Sequence, residues 1–182
     1  MQRKHIYLLI AAAVAAIVTL ALGRLVNHPA ERPKAAASAP ADSPSSKEHE
    51  LKALSVELEK KPNHPPILMR MAQLSRELGK PEEAIAHLRQ LTKTEPNNME
   101  GHLELGRALY ESNDIPGAIE ETNRVLALNP KNVDALYNLG AIYANVNKPE
   151  IAREYWTKAV AADPASESGR NAQDGLRKLA RP

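Results

Sequence analysis

The sequence of 182 residues contains no cysteine, no phenylalanine, one tryptophan and five tyrosines. Without cysteine, the chain has no disulfide, no thiolate metal site, no thiol nucleophile and no lipid-modified cysteine. The scarcity of aromatic residues disfavours a strand-rich core, because strands favour aromatic and β-branched side chains. Alanine and leucine supply most of the 43% hydrophobic residues, and both favour helices. The composition therefore predicts an all-α fold.

Sequence signatures of catalysis and of nucleic-acid binding are also absent. The eight glycines form no phosphate-binding loop, and no Gly-x-Ser-x-Gly motif occurs. None of the six histidines is paired with another at metal-ligand spacing. Residues 47–182 hold 19 bases and 20 acids, so this part lacks a basic patch. We predict a non-enzymatic protein with no catalytic residue, metal, cofactor, nucleic acid or small-molecule substrate.

An uncharged apolar run occupies residues 6–22, where the hydroxyls of Tyr7 and Thr19 are the only polar side-chain groups. As a helix with a rise of about 1.5 Å per residue, the run spans roughly 25 Å, the lower limit for crossing a bilayer. Residues 23–26 extend the run, with the Arg24 side chain reaching the headgroups. The run is therefore long enough to cross a membrane once.

We predict a transmembrane signal anchor at residues 6–26 behind a cytoplasmic segment at residues 1–5. The alternative is a cleaved secretory signal with its cleavage site at residues 21–23. Arg3 and Lys4 lie directly before the apolar run, which favours an N-terminus in the cytoplasm. Either alternative places the rest of the chain on the outer side of the membrane.

Residues 27–46 are rich in proline, alanine and serine and show no apolar periodicity. This composition is typical of a flexible linker, and we assign residues 47–182 to the folded domain.

Within that domain, three blocks of 34 residues align without a gap: 65–98, 99–132 and 133–166. Each block has two apolar stripes at helical spacing, separated by a short breaker, which predicts a stack of helix pairs. The predicted inward residues of the first helices are Leu68, Met71, Ala72 and Ser75, then His102, Leu105, Gly106 and Leu109, and then Leu136, Leu139, Gly140 and Tyr143. Those of the second helices are Ala84, Leu88 and Leu91, then Ala118, Thr122 and Val125, and then Trp156 with Ala152 and Ala159.

Small residues and helix breakers recur in register. The eighth residue of every block is small, and in two blocks it is a glycine, whose cost of about 1 kcal/mol in a helix is explained by a closely packed partner helix. Gly79, Asn113 and Asn147 occupy one register, where a helix ends in a left-handed residue. Pro81 and Pro149 suit the first turn of the following helix.

The pattern continues beyond the three blocks. Pro62 precedes Pro96 by one period, so residues 46–60 are predicted to form a lone second-type helix with Leu51, Leu54 and Leu58 inward. Residues 167–180 are predicted to form a capping helix, whose apolar positions Ala172, Leu176 and Leu179 leave most of one face polar.

The small eighth residue, the alanine at position 20 and the proline at position 32 of each block resemble the tetratricopeptide repeat (TPR) family. The resemblance implies a right-handed helical solenoid whose first helices line a concave groove. The groove residues that it implies as a peptide-binding surface are Met69, Gln73, Arg76, Leu103, Arg107, Tyr110, Tyr137, Asn138 and Asn145.

An apolar floor flanked by Arg76 and Arg107 suits a peptide with some acidic character. The alternative is that Tyr110 and Tyr137 only pack against neighbouring helices, and that the arginines pair with Glu77, Glu104 or Glu111.

The resemblance therefore implies a membrane-anchored adaptor or scaffold that binds a partner polypeptide. Anchored TPR proteins of this layout are similar to envelope assembly factors, including the cytochrome c maturation family. We expect a single-pass protein of the bacterial inner membrane with its repeats on the periplasmic side. The alternative is a structural subunit of a secretion or envelope complex that self-associates through its convex face.

Overall fold

The structure, a computed structural model, describes residues 43–180, and within that range the chain forms eight helices and no strand. The helices are α1 Pro44–Lys60, α2 Pro65–Glu77, α3 Pro81–Thr94, α4 Met99–Glu111, α5 Ile115–Leu128, α6 Val133–Asn145, α7 Pro149–Ala162 and α8 Glu167–Leu179. The predicted cytoplasmic segment, the predicted anchor at 6–26 and most of the predicted linker lie outside the described residues. Among the eight described helices, none has the length and apolar character that crossing a bilayer requires.

The helices form an all-helical solenoid, as the 34-residue period predicts. In each block the first helix packs against the second, giving the pairs α2 with α3, α4 with α5, and α6 with α7. Each pair then packs against the next, through contacts of α3 with α4 and of α5 with α6. Each unit therefore buries its apolar stripes only against its neighbours along the chain.

The turns within the pairs confirm the predicted breakers. Gly79, Asn113 and Asn147 have φ angles of 70°, 62° and 57°, which is the left-handed region. In each turn the residue after the breaker donates its backbone N–H to a carbonyl five residues earlier, for example Lys80 to Ser75 at 2.8 Å. This hydrogen bond satisfies a carbonyl that the end of the helix would leave without a partner.

The predicted stripes form the core. All the predicted inward residues of α2 to α7 are buried except Tyr143, which is half-buried. The ring of Tyr143 stacks on that of Tyr155, with 5.7 Å between the ring centroids. His102 is only 4% exposed, and its two ring nitrogens lie 2.6 Å from a carboxylate oxygen of Glu121 and 2.9 Å from the Pro96 carbonyl oxygen.

Close helix packing explains the glycines at the eighth position. A Cβ atom on Gly140 would lie 2.3 Å from Cδ1 of Trp156, and one on Gly106 would lie 2.9 Å from Oγ1 of Thr122. Both distances are shorter than ordinary contacts between carbon or oxygen atoms. The glycines therefore permit the second helix of each pair to approach the first.

Helix α1 begins two residues earlier than the sequence predicts, so the predicted linker is too long at its end. The helix begins at Pro44, whereas the linker was predicted to continue to residue 46. Ser43 caps the helix by accepting the N–H of Ser46 through its hydroxyl, and a proline is favoured in the first turn. No residue of α1 is buried, and its predicted inward leucines are half-buried, because the helix packs mainly on α2.

Helix α8 covers the last pair. Ala172 is buried, while Leu176 and Leu179 pack at the edge of a core cluster that includes Trp156. A Cβ atom on Gly175 would lie 2.7 Å from the Trp156 ring. The indole therefore lies between Gly140 of α6 and Gly175 of α8, with its Nε1–H donating to the Tyr137 carbonyl at 3.2 Å.

Candidate functional site

The first helices of the three pairs, α2, α4 and α6, carry all nine residues of the predicted groove. Gln73, Arg107 and Asn145 are exposed, and the other six are half-buried. Residues one period apart share a register, as Met69, Leu103 and Tyr137 do. Six of the nine line two pockets, and the other three, Leu103, Tyr137 and Asn145, line neither of them.

The first pocket, which we call the anchor pocket, lies between α4 and α6 and has a volume of about 250 Å³. Its lining consists of Gly106, Arg107, Tyr110, Glu111, Thr122, Asn138, Ala141 and Ile142. The Thr122 hydroxyl donates to the Ala118 carbonyl at 2.7 Å, so this buried polar atom needs no partner from a ligand. The pocket can therefore accept an apolar group without leaving that hydroxyl unsatisfied.

The second pocket, which we call the charged pocket, lies mainly between α2 and α4 and has a volume of about 260 Å³. Its lining consists of Met69, Ala72, Gln73, Arg76, Leu88, Glu100, Glu104 and Arg107. Because Arg107 borders both pockets, the two are adjacent. Four of the eight lining residues are charged, so this pocket is suited to polar groups.

The two groove arginines are already paired with carboxylates. Arg76 makes two hydrogen bonds to Glu111, at 2.7 and 3.1 Å, and a third to Glu104 at 3.0 Å. Arg107 donates to the other oxygen of Glu104 at 2.8 Å. The alternative of ion pairing is therefore confirmed for Glu104 and Glu111, while the attraction of an acidic peptide stays a prediction. Arg76 reaches these carboxylates across the helices, not along its own helix.

The predicted tyrosines also have packing roles. Tyr110 packs against a core cluster whose residues come from α2 to α6, and Tyr137 packs against the cluster around Trp156. This confirms the packing alternative for both residues, although Tyr110 also borders the anchor pocket.

Ion pairs also join α1 to α2 near the N-terminal end of the same face. Arg70 makes two hydrogen bonds to Glu50, at 2.7 and 2.8 Å, and these bonds lower the pKa of the Glu50 carboxyl. Lys47 lies 2.8 Å from Glu77 and lowers the pKa of that carboxyl. Both pairs are partly open to solvent, so they orient α1 more than they stabilise it.

Within the described part of the chain, hydrogen bonds and ion pairs between side chains join several neighbouring helices near the groove, but not α4 and α6. Ion pairs join α1 to α2 and α2 to α4, and the Ser168 hydroxyl of α8 donates to Asp134 of α6. In residues 43–180 no hydrogen bond or ion pair between side chains joins α4 to α6, and the anchor pocket lies between these two helices. This pocket is the part of the face where a ligand would meet an unfilled, weakly polar surface.

Among the residues of the anchor pocket, the sequence analysis assigned Gly106 and Thr122 to the core and Glu111 to an ion pair, and it did not single out Ile142. A signal for the pocket was present, because Thr122 replaces a larger residue at the position where the third block has Trp156. A small residue opposite Gly106 leaves space between the helices. Nothing in the described chain points to a metal centre, since no group of three or more His, Asp or Glu side chains is placed to hold an ion.

Comparisons with known proteins agree with this geometry. Three models of the tetratricopeptide repeat match the chain, at residues 65–108, 106–147 and 133–166. The helix pairs and these matches show that residues 65–166 consist of tetratricopeptide repeats, a class of protein-interaction scaffold. The chain is thus a TPR protein over its three central helix pairs.

Solved structures with a similar fold include two crystal structures of MamA. The first is 22% identical with a TM-score of 0.63, and the match covers 74% of this chain and 87% of that MamA chain. The second is 25% identical with a TM-score of 0.60, and the match covers 76% of this chain and 82% of that MamA chain. YrrB, described as a TPR protein with an unusual peptide-binding site, is 18% identical with a TM-score of 0.57 and covers 74% and 76%. No curated protein matches the chain in sequence.

Proposed function

We propose that this protein is a membrane-tethered TPR adaptor that holds a segment of another polypeptide against α2, α4 and α6. The observation that carries this proposal is the anchor pocket between α4 and α6. Its volume of about 250 Å³ is smaller than the roughly 300–1,000 Å³ of typical small-molecule sites. A pocket of this size suits one apolar side chain of a longer segment. In protein interfaces, a few side chains buried in such pockets supply most of the binding energy.

The rim of the anchor pocket supports the recognition of a polypeptide. The Asn138 side chain is half-buried at this rim and makes no side-chain hydrogen bond within residues 43–180. Its amide has both donors and an acceptor, so it can pair with the N–H and the C=O of a peptide backbone. YrrB, which has a similar fold, is described by its peptide-binding site.

In this proposal a membrane anchor holds the binding surface close to the bilayer. The apolar run at residues 6–26 and the linker that follows it suit a single-pass anchor in the bacterial inner membrane, with the repeats on the periplasmic side. Confining the adaptor and its partner to one membrane raises their effective concentration. This arrangement fits the assembly of an envelope protein complex, for example in cytochrome c maturation, where a segment must be held before it is joined to its complex.

Site-specific photo-crosslinking in membranes tests the groove. A benzoyl-phenylalanine replaces Asn145, an exposed residue one turn beyond Ala141, in the full-length chain. We expect a covalent adduct with a partner protein, and we expect none from the same probe at Arg153, an exposed residue of α7. Equal adducts from both positions, or an adduct from Arg153 alone, would contradict the groove.

A pocket-filling variant sharpens that test. Ala141→Leu adds a side chain inside the anchor pocket without changing charge, and should abolish the adduct from Asn145. Ala127→Leu adds the same side chain at an exposed position of α5 and should leave the adduct unchanged. Both variants should melt within a few degrees of the wild type.

A second candidate function is a subunit that associates through its second-type helices. Three of the four large hydrophobic residues exposed in residues 43–180 lie on such helices: Val56 of α1, Leu128 of α5 and Ile151 of α7. Sedimentation of the full-length chain in detergent distinguishes the two functions. Association that Val56→Ser and Ile151→Ser abolish would support the second candidate, and a monomer at high micromolar concentration would exclude it.

A further inference from the structure

We propose that the partner segment is basic, with an apolar residue in the anchor pocket and lysine or arginine side chains beside it that approach Glu100 and Asp134. This inference rests on the proposed groove function and adds the charge of the segment that the groove selects. It differs from the expectation that Arg76 and Arg107 suit a peptide with some acidic character.

The first step is the neutralisation of both groove arginines. Arg76 contacts Glu111 and Glu104, and Glu104 also contacts Arg107, so these four side chains form one closed network. Two positive and two negative charges cancel within it. An acidic segment would have to break up to three charge-assisted hydrogen bonds of 2.7 to 3.1 Å to gain Arg76, and at Arg107 it would meet a charge already shared with Glu104.

The second step is the charge that remains. Glu100 lines the charged pocket, is exposed, and has no Lys, Arg or His within ion-pair distance among residues 43–180. It is therefore the uncompensated charge of the two pockets. A carboxylate in this position favours a cationic group of the segment.

The third step is a second carboxylate in the same register. Asp134 lies 34 residues after Glu100, at the second position of α6, and Ser168 lies a further 34 residues along. The hydrogen bond from the Ser168 hydroxyl to Asp134 joins this register on α6 and α8. Asp134 also lacks a basic partner within the described part of the chain. Glu100 and Asp134 thus occupy the same register on α4 and α6, the helices that border the anchor pocket.

A competing explanation for both carboxylates is the helix dipole, because each lies in the first turn of its helix. Glu150 provides a matched control, since it is an exposed acid in the first turn of α7 and lines neither pocket. A role in the dipole alone predicts that the three acids behave alike. A role in binding predicts that only Glu100 and Asp134 affect the choice of segment.

Three synthetic peptides of eleven residues serve as probes for the full-length chain. Each has one central leucine in a glycine–serine background, with two flanking lysines, glutamines or glutamates, and a fluorescent label for anisotropy. We expect affinity to decrease in the order lysine, glutamine, glutamate, and the preference for lysine to shrink as salt is raised. Replacing the central leucine by alanine should weaken all three.

Neutral variants assign the effect to the carboxylates. Glu100→Gln and Asp134→Asn should each weaken the lysine peptide by about 1.5- to 5-fold, the range for exposed ion pairs, and leave the glutamine peptide unchanged. Glu150→Gln should change neither peptide. Equal affinities for the lysine and glutamate peptides, or an equal response to all three variants, would overturn the basic segment while leaving the groove intact.

The crosslink from Asn145 keeps the two proposals distinguishable when the probe peptides bind too weakly to compare. Mass spectrometry then identifies the partner segment attached at that position. A segment with lysine or arginine next to an apolar residue supports the inference, and a neutral or acidic segment refutes it although the groove is correct. Absence of a crosslink refutes the groove, and the inference with it.

Discussion

Gly140→Ala tests whether the position of the Trp156 indole sets the packing of the last repeat. The added Cβ would lie 2.3 Å from Cδ1 of Trp156, more than 1 Å inside the roughly 3.5–4.0 Å of an ordinary carbon contact. The ring cannot move away freely, because Gly175 of α8 lies against its other side. Overpacking of a core costs about 1–3 kcal/mol, and this site belongs at the upper end.

Helix propensity acts in the opposite direction, since alanine is favoured over glycine in a helix by about 0.5–1 kcal/mol. The net loss for Gly140→Ala is therefore about 2 kcal/mol, which lowers Tm by roughly 6–10 °C for a domain of this size. Gly106→Ala is the matched control, because its Cβ would make one tight contact, at 2.9 Å from the Thr122 hydroxyl, with the Ala118 carbonyl oxygen next at 3.4 Å. We expect that variant to remain within about 1 kcal/mol of the wild type, because the gain in propensity offsets one tight contact.

Urea unfolding followed by circular dichroism measures both variants, and a double-mutant cycle identifies the cause. In a Trp156→Leu background the clash is removed, so Gly140→Ala should become neutral or stabilising. A loss of about 2 kcal/mol that persists without the indole would refute the packing argument. Equal losses for Gly140→Ala and Gly106→Ala would refute it as well.

Two further predictions concern the N-terminal repeat. Ser75 is fully buried and its hydroxyl has no hydrogen-bond partner in the described part of the chain, so Ser75→Ala should stabilise by about 1 kcal/mol in urea unfolding; a lower urea midpoint would contradict this. Glu50 has a lowered pKa because Arg70 donates to it, so its contribution to stability is present above the unfolded value near 4.5 and is lost as pH falls through the folded value. Acidification from pH 6 to pH 3.5 should therefore reduce the free energy of unfolding more in the wild type than in Glu50→Gln, and equal pH slopes would count against the pairing.

The repeat architecture could be predicted because one set of physical requirements recurs every 34 residues. Small residues such as Gly140 permit close packing, and left-handed residues such as Asn113 end the helices, so each block repeats the evidence for the others. The start of α1 was missed, because Pro44 and Ser43 belong by composition to the linker and act as a helix start only together. Local composition could not separate these two roles.

The charge of the groove could not be predicted, because it depends on contacts between repeats. Arg76 reaches Glu104 and Glu111, which are 28 and 35 residues away, and no spacing within one helix indicates these pairs. Their formation depends on the offset between successive first helices, which the packing of the whole pair sets. A list of exposed groove residues therefore gave the correct helices, but it did not show which carboxylates each arginine contacts.

Stability and binding are carried by different residues in this domain. The core residues that hold neighbouring pairs together, such as Leu88, Leu105 and Val125, are almost fully buried, and their positions are buried in every block. Exposed side chains of the first-helix face, such as Glu100, lie outside this core, so their replacement leaves the core contacts in place. Glu100 and Asn138 can therefore set the choice of partner with little cost to the fold. Because no side-chain bond joins α4 to α6 within residues 43–180, a segment bound across the anchor pocket would supply a link that the chain itself does not make. Such a segment stabilises the folded domain by an amount that grows with the logarithm of its free concentration, reaching about 2.7 kcal/mol at a hundredfold excess over Kd.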